Sequence, residues 1–278
     1  MGTLEGKVAF ITGAARGQGR SHALTLAREG ADVIAVDLCA DVGSVGYPMA
    51  TPDDLAETVR QVEALDRRII ATQADVRDGA ALKAAVDDGV AQLGRLDIVL
   101  ANAGIASFAP VEELDDVMWD EMIDINLTGV FRTVRAAVPH LKANPGGGAI
   151  VLTSSTAGIM GLPNLAHYVA AKHGVVGLMK VLALELAPHM IRVNSVHPTS
   201  VSTTMIHNEA TYGNFRPDLP AGQVRQEDVT ELFQSLNALP VPWVESQDVS
   251  NAVLFLVSDA GRYVTGVQLP IDAGSVIS

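Results

Sequence analysis

Cysteine is nearly absent: Cys39 is the single one among 278 residues. No disulfide can form within the chain, and a reducing compartment is expected. With no histidine near it in sequence, the thiol reads as a small apolar filler rather than a nucleophile. Positive charge is scarce too, with 19 Lys and Arg against 32 Asp and Glu and a formal net charge of −13. Such a surface repels nucleic-acid backbones and anionic lipid, so neither nucleic acid nor membrane is an expected partner. No apolar run approaches the roughly 18–20 residues of a membrane-spanning helix. Residues Met1–Lys7 have no apolar stretch or cleavage site of the secretory kind, and cytoplasm is the expected location. His22, His167, His173 and His189 are not spaced to converge on a zinc ion, so no metal is expected. Aromatic residues are only 4%, yet hydrophobic residues reach 48%, enough for a sizeable core.

That apolar material comes in short runs separated by helical patterns. Val8–Thr12, Val33–Val36, Ile69–Thr72, Leu96–Leu100, Ala149–Leu152, Ile191–Val196 and Val267–Ile271 read as strands. Helical patterns fall at 18–29, 52–65, 79–93, 113–142, 164–187 and 247–258. Strands apolar on both faces, each followed by a helix, predict an α/β doubly wound parallel sheet of about seven strands with helices on both faces. No repeat or composition shift divides the chain, so residues 1–278 are expected to form a single domain. Two segments interrupt the alternation. Residues 38–51 form an insertion between a strand and its helix, which starts at Thr51 as N-cap with Pro52 and Asp54 behind it. Residues 199–246 carry Met205, Ile206, Phe215, Phe233, Leu236 and Trp243, the composition of a substrate-binding lid.

The first strand runs into Thr12-Gly-Ala-Ala-Arg-Gly-Gln-Gly19. Glycines at 13, 17 and 19 allow a tight turn and close approach to a pyrophosphate at a helix N-terminus. Asp37 ends the second strand, eighteen residues after Gly19, where a carboxylate accepts both adenosine-ribose hydroxyls and repels a 2′-phosphate. Arg16 pulls the other way, since an arginine in this loop can pair with a phosphate. Asp37 occupies the ribose position itself, so NAD is the expected cofactor. Asp75 and Val76 follow the third strand at the adenine position, although Asp75 alone also reads as a helix cap near Asp78. Asn102, Ala103 and Gly104 end the fourth strand and leave room for a dinucleotide.

Tyr168 and Lys172 stand four residues apart and so share a helix face, with Ser155 thirteen residues before the tyrosine. A phenol titrates near pH 10. A neighbouring ammonium, aided by the positive charge of oxidised NAD, is expected to lower that value and create a usable base.

Taken together, Thr12-Gly-x-x-x-Gly-x-Gly19, Asn102-Ala-Gly104, Asn126, Ser155, Tyr168-x-x-x-Lys172 and Pro198 resemble the short-chain dehydrogenase/reductase family over nearly the whole chain. The resemblance implies a Rossmann-type fold and an oxidoreductase acting on CH–OH donors. It casts Tyr168 as acid/base, Ser155 as holder of the reacting oxygen and Lys172 as ligand of the nicotinamide ribose. Asn126 would interrupt the 113–142 helix and hold a relay water. The implied cofactor contacts are Gly13, Ala15, Arg16, Gly17, Gln18, Gly19, Asp37, Leu38, Asp75, Val76, Asn102, Ala103, Gly104, Tyr168, Lys172, Val201 and Thr203. Pro198-Thr199 departs from the usual Pro-Gly, with Thr203 still at the phosphate-contacting position.

The 38–51 insertion with Tyr47-Pro48, and Leu165-Ala-His-Tyr-x-Ala-Ala-Lys-His173, are similar to the mycofactocin-coupled, carveol-dehydrogenase-like branch. That branch implies NAD held so firmly that it does not exchange, and electrons passed to the redox peptide mycofactocin. It further implies a homotetramer and a small hydrophobic alcohol or ketone as substrate. The competing expectations are a ketoreductase with freely exchanging NAD(P) and a non-catalytic NAD-binding sensor.

Overall fold

Strand β1 (Val8–Thr12) is buried at every position because both of its faces are covered. Val8 and Phe10 enter one apolar cluster, and Ala9 and Ile11 enter the other. In this computed structural model, which describes residues 2–220 and 222–278, that two-sided burial organises the chain. β1 is followed by α1 (Gly17–Arg28), β2 (Asp32–Asp37), α2 (Pro52–Glu63), β3 (Ile69–Gln73), α3 (Gly79–Leu93) and β4 (Ile98–Ala101). Then come α4 (Asp116–Ile123), α5 (Gly129–Lys142), β5 (Gly148–Thr153), α6 (Ala166–Leu186) and β6 (Ile191–Pro198). The chain finishes with α7 (Glu209–Phe215), α8 (Gln226–Ser235), α9 (Ser246–Val257) and β7 (Gln268–Ile271).

The strands form one parallel sheet in the order β3-β2-β1-β4-β5-β6-β7. Helices α1, α2 and α9 cover one face and α3, α5 and α6 the other. This is the doubly wound Rossmann-type sheet the alternation predicts. The strand order reverses direction between β1 and β4, so a crevice opens there at the carboxyl ends.

Two stretches differ from what the helical pattern and composition alone predict. Residues 113–142 are not one helix: a π-helical turn at Asp124–Thr128 separates α4 from α5. Residues 199–246 are less irregular than their composition suggests, because α7 and α8 fold within them around Tyr212, Val224, Val229 and Phe233. Asn208 caps α7 by accepting from the Thr211 N–H at 2.8 Å. The α2 start is as read: Thr51 accepts from the Asp54 N–H at 3.2 Å and Asp54 from the Thr51 N–H at 2.9 Å. Among the described residues, no helix is long and apolar enough to cross a membrane.

Helices α1 and α9 enclose His22, which is 1% exposed. Its Nδ1 lies 2.8 Å from Ser250 Oγ, while Nε2 is buried without a partner. Burial pulls its pKa from 6.5 to about 4. The unfolded chain therefore binds a proton that the fold refuses, and stability drops as pH falls from 6.5 towards 4. This single group accounts for about 3 kcal/mol of that loss. Denaturant melts at pH 7 and pH 4.5 should show a larger acid loss for the natural protein than for His22→Asn. Equal losses would remove His22 from the account.

Candidate active site

The crevice between β1 and β4 is walled on one side by the glycine loop. Gly13 and Gly17 take φ values of 68° and 54°. A Cβ at Gly13 would stand 2.8 Å from the Ala103 Cα, and one at Gly19 only 1.9 Å from the Gly13 carbonyl oxygen. Nothing larger than glycine lets loop, helix and β4 pack this closely. Arg16 sits at the N-cap of α1 but makes no capping bond, which leaves the first-turn N–H groups open to an anion. Gln18 lines the crevice with its side-chain oxygen buried and unpaired. A buried polar atom of that kind is normally satisfied by a ligand. The empty space of the crevice, counted out to open solvent, is about 960 Å³. The residues present fit a dinucleotide.

Asp37 marks the ribose end. One carboxylate oxygen accepts from the Ala15 N–H at 2.9 Å and the other from the Cys39 N–H at 3.1 Å, so the group is oriented by backbone. Arg16 is turned onto the insertion, where its guanidinium donates to the Pro48 carbonyl. Asp75 is not the helix cap. Asp78 caps α3, accepting from the Ala80 and Ala81 N–H groups at 2.9 and 3.0 Å. Asp75 instead pairs with Arg77 at 2.7 Å. Burial raises its pKa, hydrogen bonds from Arg77 more than offset this, and the carboxyl ends below its usual value.

The crevice is lined by Gly13, Arg16, Gly17, Gln18, Gly19, Asp37, Leu38, Asp75, Val76, Asn102, Ala103, Gly104 and Thr203. Four residues of the sequence set do not line it: Tyr168 and Lys172, which stand beside it, and two others. Ala15 is wholly buried in the apolar layer, its N–H donating to Asp37 and its carbonyl accepting from Thr58 at 2.9 Å. Val201 is 4% exposed and bridges to Val244. Tyr47 and Met205, named in the insertion and the lid, also line it, whereas sequence reasoning passed over Val42, Met49, Ala50, Ala74, Ile105, Ile125 and Thr204. The unusual length of 38–51 was the available signal. The insertion is tied down at three points. Besides Arg16 on Pro48, the Ser44 N–H donates to Glu121 at 3.0 Å, and the Tyr47 hydroxyl accepts from the Ala106 N–H at 3.2 Å.

Asn126, Ser155, Tyr168 and Lys172 lie beside the crevice rather than along it. A Cβ at Gly104 would be 3.1 Å from Asn126 Oδ1 and 3.6 Å from Lys172 Nζ, so this glycine lets both approach. Ser155 caps the turn Thr156–Gly158, its Oγ accepting from the Ala157 N–H at 3.2 Å. Tyr168 and Lys172 follow one another on α6, with the ammonium 5.5 Å from the ring centre. Lys172 is 3% exposed and donates to the Thr153 carbonyl at 2.9 Å.

Two details bear on the sequence reading. Burial raises the Tyr168 pKa, and the nearby Ser155 hydroxyl opposes that rise. The amine is itself pulled down to about 8 by burial and is turned onto Thr153. Asn126 does interrupt the helix, at the π turn. Its side chain, however, is committed to Ile105, accepting from the N–H and donating to the carbonyl, both at 2.8 Å. The amide therefore staples the loop after β4 to the π turn. Tyr47 is the other phenol nearby; burial pushes it up to about 12, and Tyr168 adds to that rise.

Among the described residues, no group of three His, Cys, Asp or Glu could hold a metal ion. The short chain dehydrogenase family profile matches residues 7–212. The chain is a short-chain dehydrogenase/reductase. Membership makes it an oxidoreductase and explains why the crevice, Ser155 and the α6 pair occur together.

This short-chain dehydrogenase/reductase is 58% identical over 278 residues to (-)-trans-carveol dehydrogenase of Rhodococcus erythropolis, covering 100% of both chains. The structure of carveol dehydrogenase from Mycobacterium avium in complex with NAD superposes with a TM-score of 0.98. It is 58% identical, again over 100% of both chains. Trans-4-hydroxycyclohexanecarboxylate dehydrogenase of Sinomonas cyclohexanicum is 40% identical over 96% of this chain and 92% of its own. The chain thus falls with the carveol dehydrogenase-like branch of the family.

Proposed function

We propose that this enzyme interconverts a hydrophobic secondary alcohol and its ketone using NAD. The observation that carries this reading is the meeting of Ser155, Tyr168 and Lys172 beside a crevice built for a dinucleotide. When bound, oxidised NAD supplies a hydride acceptor and a positive charge. The protein supplies the proton chemistry. Tyr168 takes the alcohol proton at its hydroxyl oxygen, and Ser155 holds the reacting oxygen and stabilises charge that develops on it. Lys172 adds positive charge one helical turn from Tyr168 and binds the nicotinamide ribose. Gly13, Gly17, Gln18, Gly19 and Thr203 hold the pyrophosphate, Asp37 the adenosine ribose, and Asp75 and Val76 the adenine side. With Arg16 on Pro48, the carboxylate of Asp37 decides for NAD over its 2′-phosphorylated form.

The lid and the relatives support a hydrophobic ring alcohol. Phe108 in the loop after β4 meets Phe215 of α7 edge-on at 6.5 Å, and Phe215 packs on Phe233 at 4.3 Å. This apolar packing of segment 199–246 against the loop after β4 supports its role as a lid. The relatives named for carveol and for a hydroxycyclohexane acid point to the same substrate class.

The insertion supports firmly held NAD reoxidised by mycofactocin. Val42, Tyr47, Met49 and Ala50 line the crevice, and its three anchors resist opening. Exposed Trp119, Phe131, Val181 and Leu184 on α4, α5 and α6 are suited to a homotetramer, here assigned to the cytoplasm.

Protein purified without added nucleotide is expected to release NAD on denaturation. It should oxidise secondary alcohols with an artificial electron acceptor while releasing no free NADH. Protein that emerges empty and produces NADH steadily would be an ordinary dehydrogenase with exchanging cofactor. Protein with bound NAD and no turnover of any alcohol would be a sensor.

A further inference from the structure

β5 runs out into Thr153, Ser154 and Ser155, and each is gripped by a hydrogen bond from outside the strand. Lys172 donates to the Thr153 carbonyl. Ser154 donates its N–H to Val196 at 2.9 Å and its hydroxyl to the Lys172 carbonyl at 3.0 Å. The Ser155 carbonyl accepts from the Gly158 N–H at 2.9 Å and lies 2.8 Å from Nδ1 of His197. His197, near the end of β6, is wholly buried, and its Nε2 is 2.8 Å from Ser195 Oγ. A carbonyl can only accept, so Nδ1 carries the proton and Nε2 accepts from the Ser195 hydroxyl. Both ring nitrogens of a buried, neutral imidazole are thus committed to one backbone oxygen and one hydroxyl. Burial holds the pKa down, and Lys172 and His173 of α6 add to that.

We propose that His197 is a positioning residue for the reaction: its clamp on the Ser155 carbonyl aims the Ser155 hydroxyl at Tyr168. The inference rests on the roles proposed above for Ser155 and Tyr168. Ser155 is extended, with φ −169° and ψ 168°, at the point where β5 gives way to a single tight turn. Its carbonyl is tied across the sheet through the imidazole alone. A reacting group displaced by about 1 Å loses on the order of a hundredfold in rate. Ser195, two residues earlier on the same face of β6, sets which nitrogen of the clamp carries the proton.

The test uses the full-length enzyme with NAD bound. His197→Leu removes both bonds, whereas His197→Asn keeps an N–H donor at the Nδ1 position. Leucine is expected to lower kcat at least about tenfold with little change in alcohol KM or in retained NAD. It should also shift the alkaline limb of the pH–kcat profile upward, because Ser155 no longer draws the Tyr168 pKa down. Asparagine should recover most of the rate and return the limb. Wild-type kcat with an unshifted limb in His197→Leu, or an asparagine variant as slow as leucine, overturns the proposal. Should His197→Leu not fold, His197→Asn is compared with His197→Gln, which carries its amide at the Nε2 position. A faster asparagine variant supports the clamp, and an equal or faster glutamine variant overturns it. Ser155→Ala separates the two levels. Wild-type turnover there defeats the proposed function, while a slow Ser155→Ala beside an unimpaired His197→Leu defeats only this inference.

Discussion

Replacing Tyr168 with phenylalanine is expected to lower kcat at least about a hundredfold, the size of a lost general acid/base, while NAD stays in place. The substitution keeps the ring and its contact with Lys172 and removes only the hydroxyl beside Ser155. A single neutral hydrogen bond is worth about 1 kcal/mol, so the fold survives and the loss is one of chemistry. Neighbouring groups offer no replacement. Tyr47 is held at a pKa of about 12, and His167 turns its Nε2 towards Ser107 at 3.0 Å. Because burial raises the Tyr168 pKa, alcohol oxidation by the natural enzyme should quicken as pH rises above neutrality and the phenol loses its proton. That alkaline limb should vanish in the variant. Steady-state rates across pH, together with the nucleotide released on denaturation, check both parts. Unchanged turnover in Tyr168→Phe would reject the proton-transfer role.

Lys172→Ala is expected to have the second large effect, reaching rate and cofactor together. The side chain is 3% exposed, and its charge lies one helical turn from the phenol. Loss of such a preorganised charge costs roughly 100- to 1,000-fold in kcat, and the alanine variant should release NAD during purification. Lys172→Met separates charge from volume. Burying the ammonium is costly enough to bring its pKa down to about 8. Methionine relieves that cost but leaves the Thr153 carbonyl without its donor, and the two changes oppose each other. The melting temperature should therefore move little while activity collapses. A methionine variant with normal kcat and normal NAD content would return Lys172 to a packing role.

The alternation of strands and helices was legible in the chain because two-sided burial demands continuous apolar runs, as in Val8–Thr12 and Ala149–Leu152. The start of α2 was legible for a local reason: Thr51 and Asp54 satisfy each other's backbone within one turn. The glycine loop and the four-residue step from Tyr168 to Lys172 were legible in the same way. The break at Asn126 came only from the family resemblance, because the residues themselves read as one helix. In the structure it is the π turn at Asp124–Thr128, where Asn126 bonds Ile105, twenty-one residues earlier. Helices α7 and α8 were missed because their stabilising cluster forms only when Phe215, Phe233 and Trp243 meet in space.

Residue order and local chemistry were thus sufficient for the doubly wound sheet, the glycine-loop crevice and the placing of Tyr168 and Lys172 on one helix, because strand and helix periods, caps and turns act over a few residues. The tertiary structure alone decided that Arg16 faces Pro48, that Lys172 spends its proton on Thr153, and that Ala15 and Val201 turn away from the crevice. It also brought His197 against Ser155 and the insertion across the crevice. These outcomes depend on which groups are desolvated together, and burial is a property of the packed chain rather than of any short stretch of it.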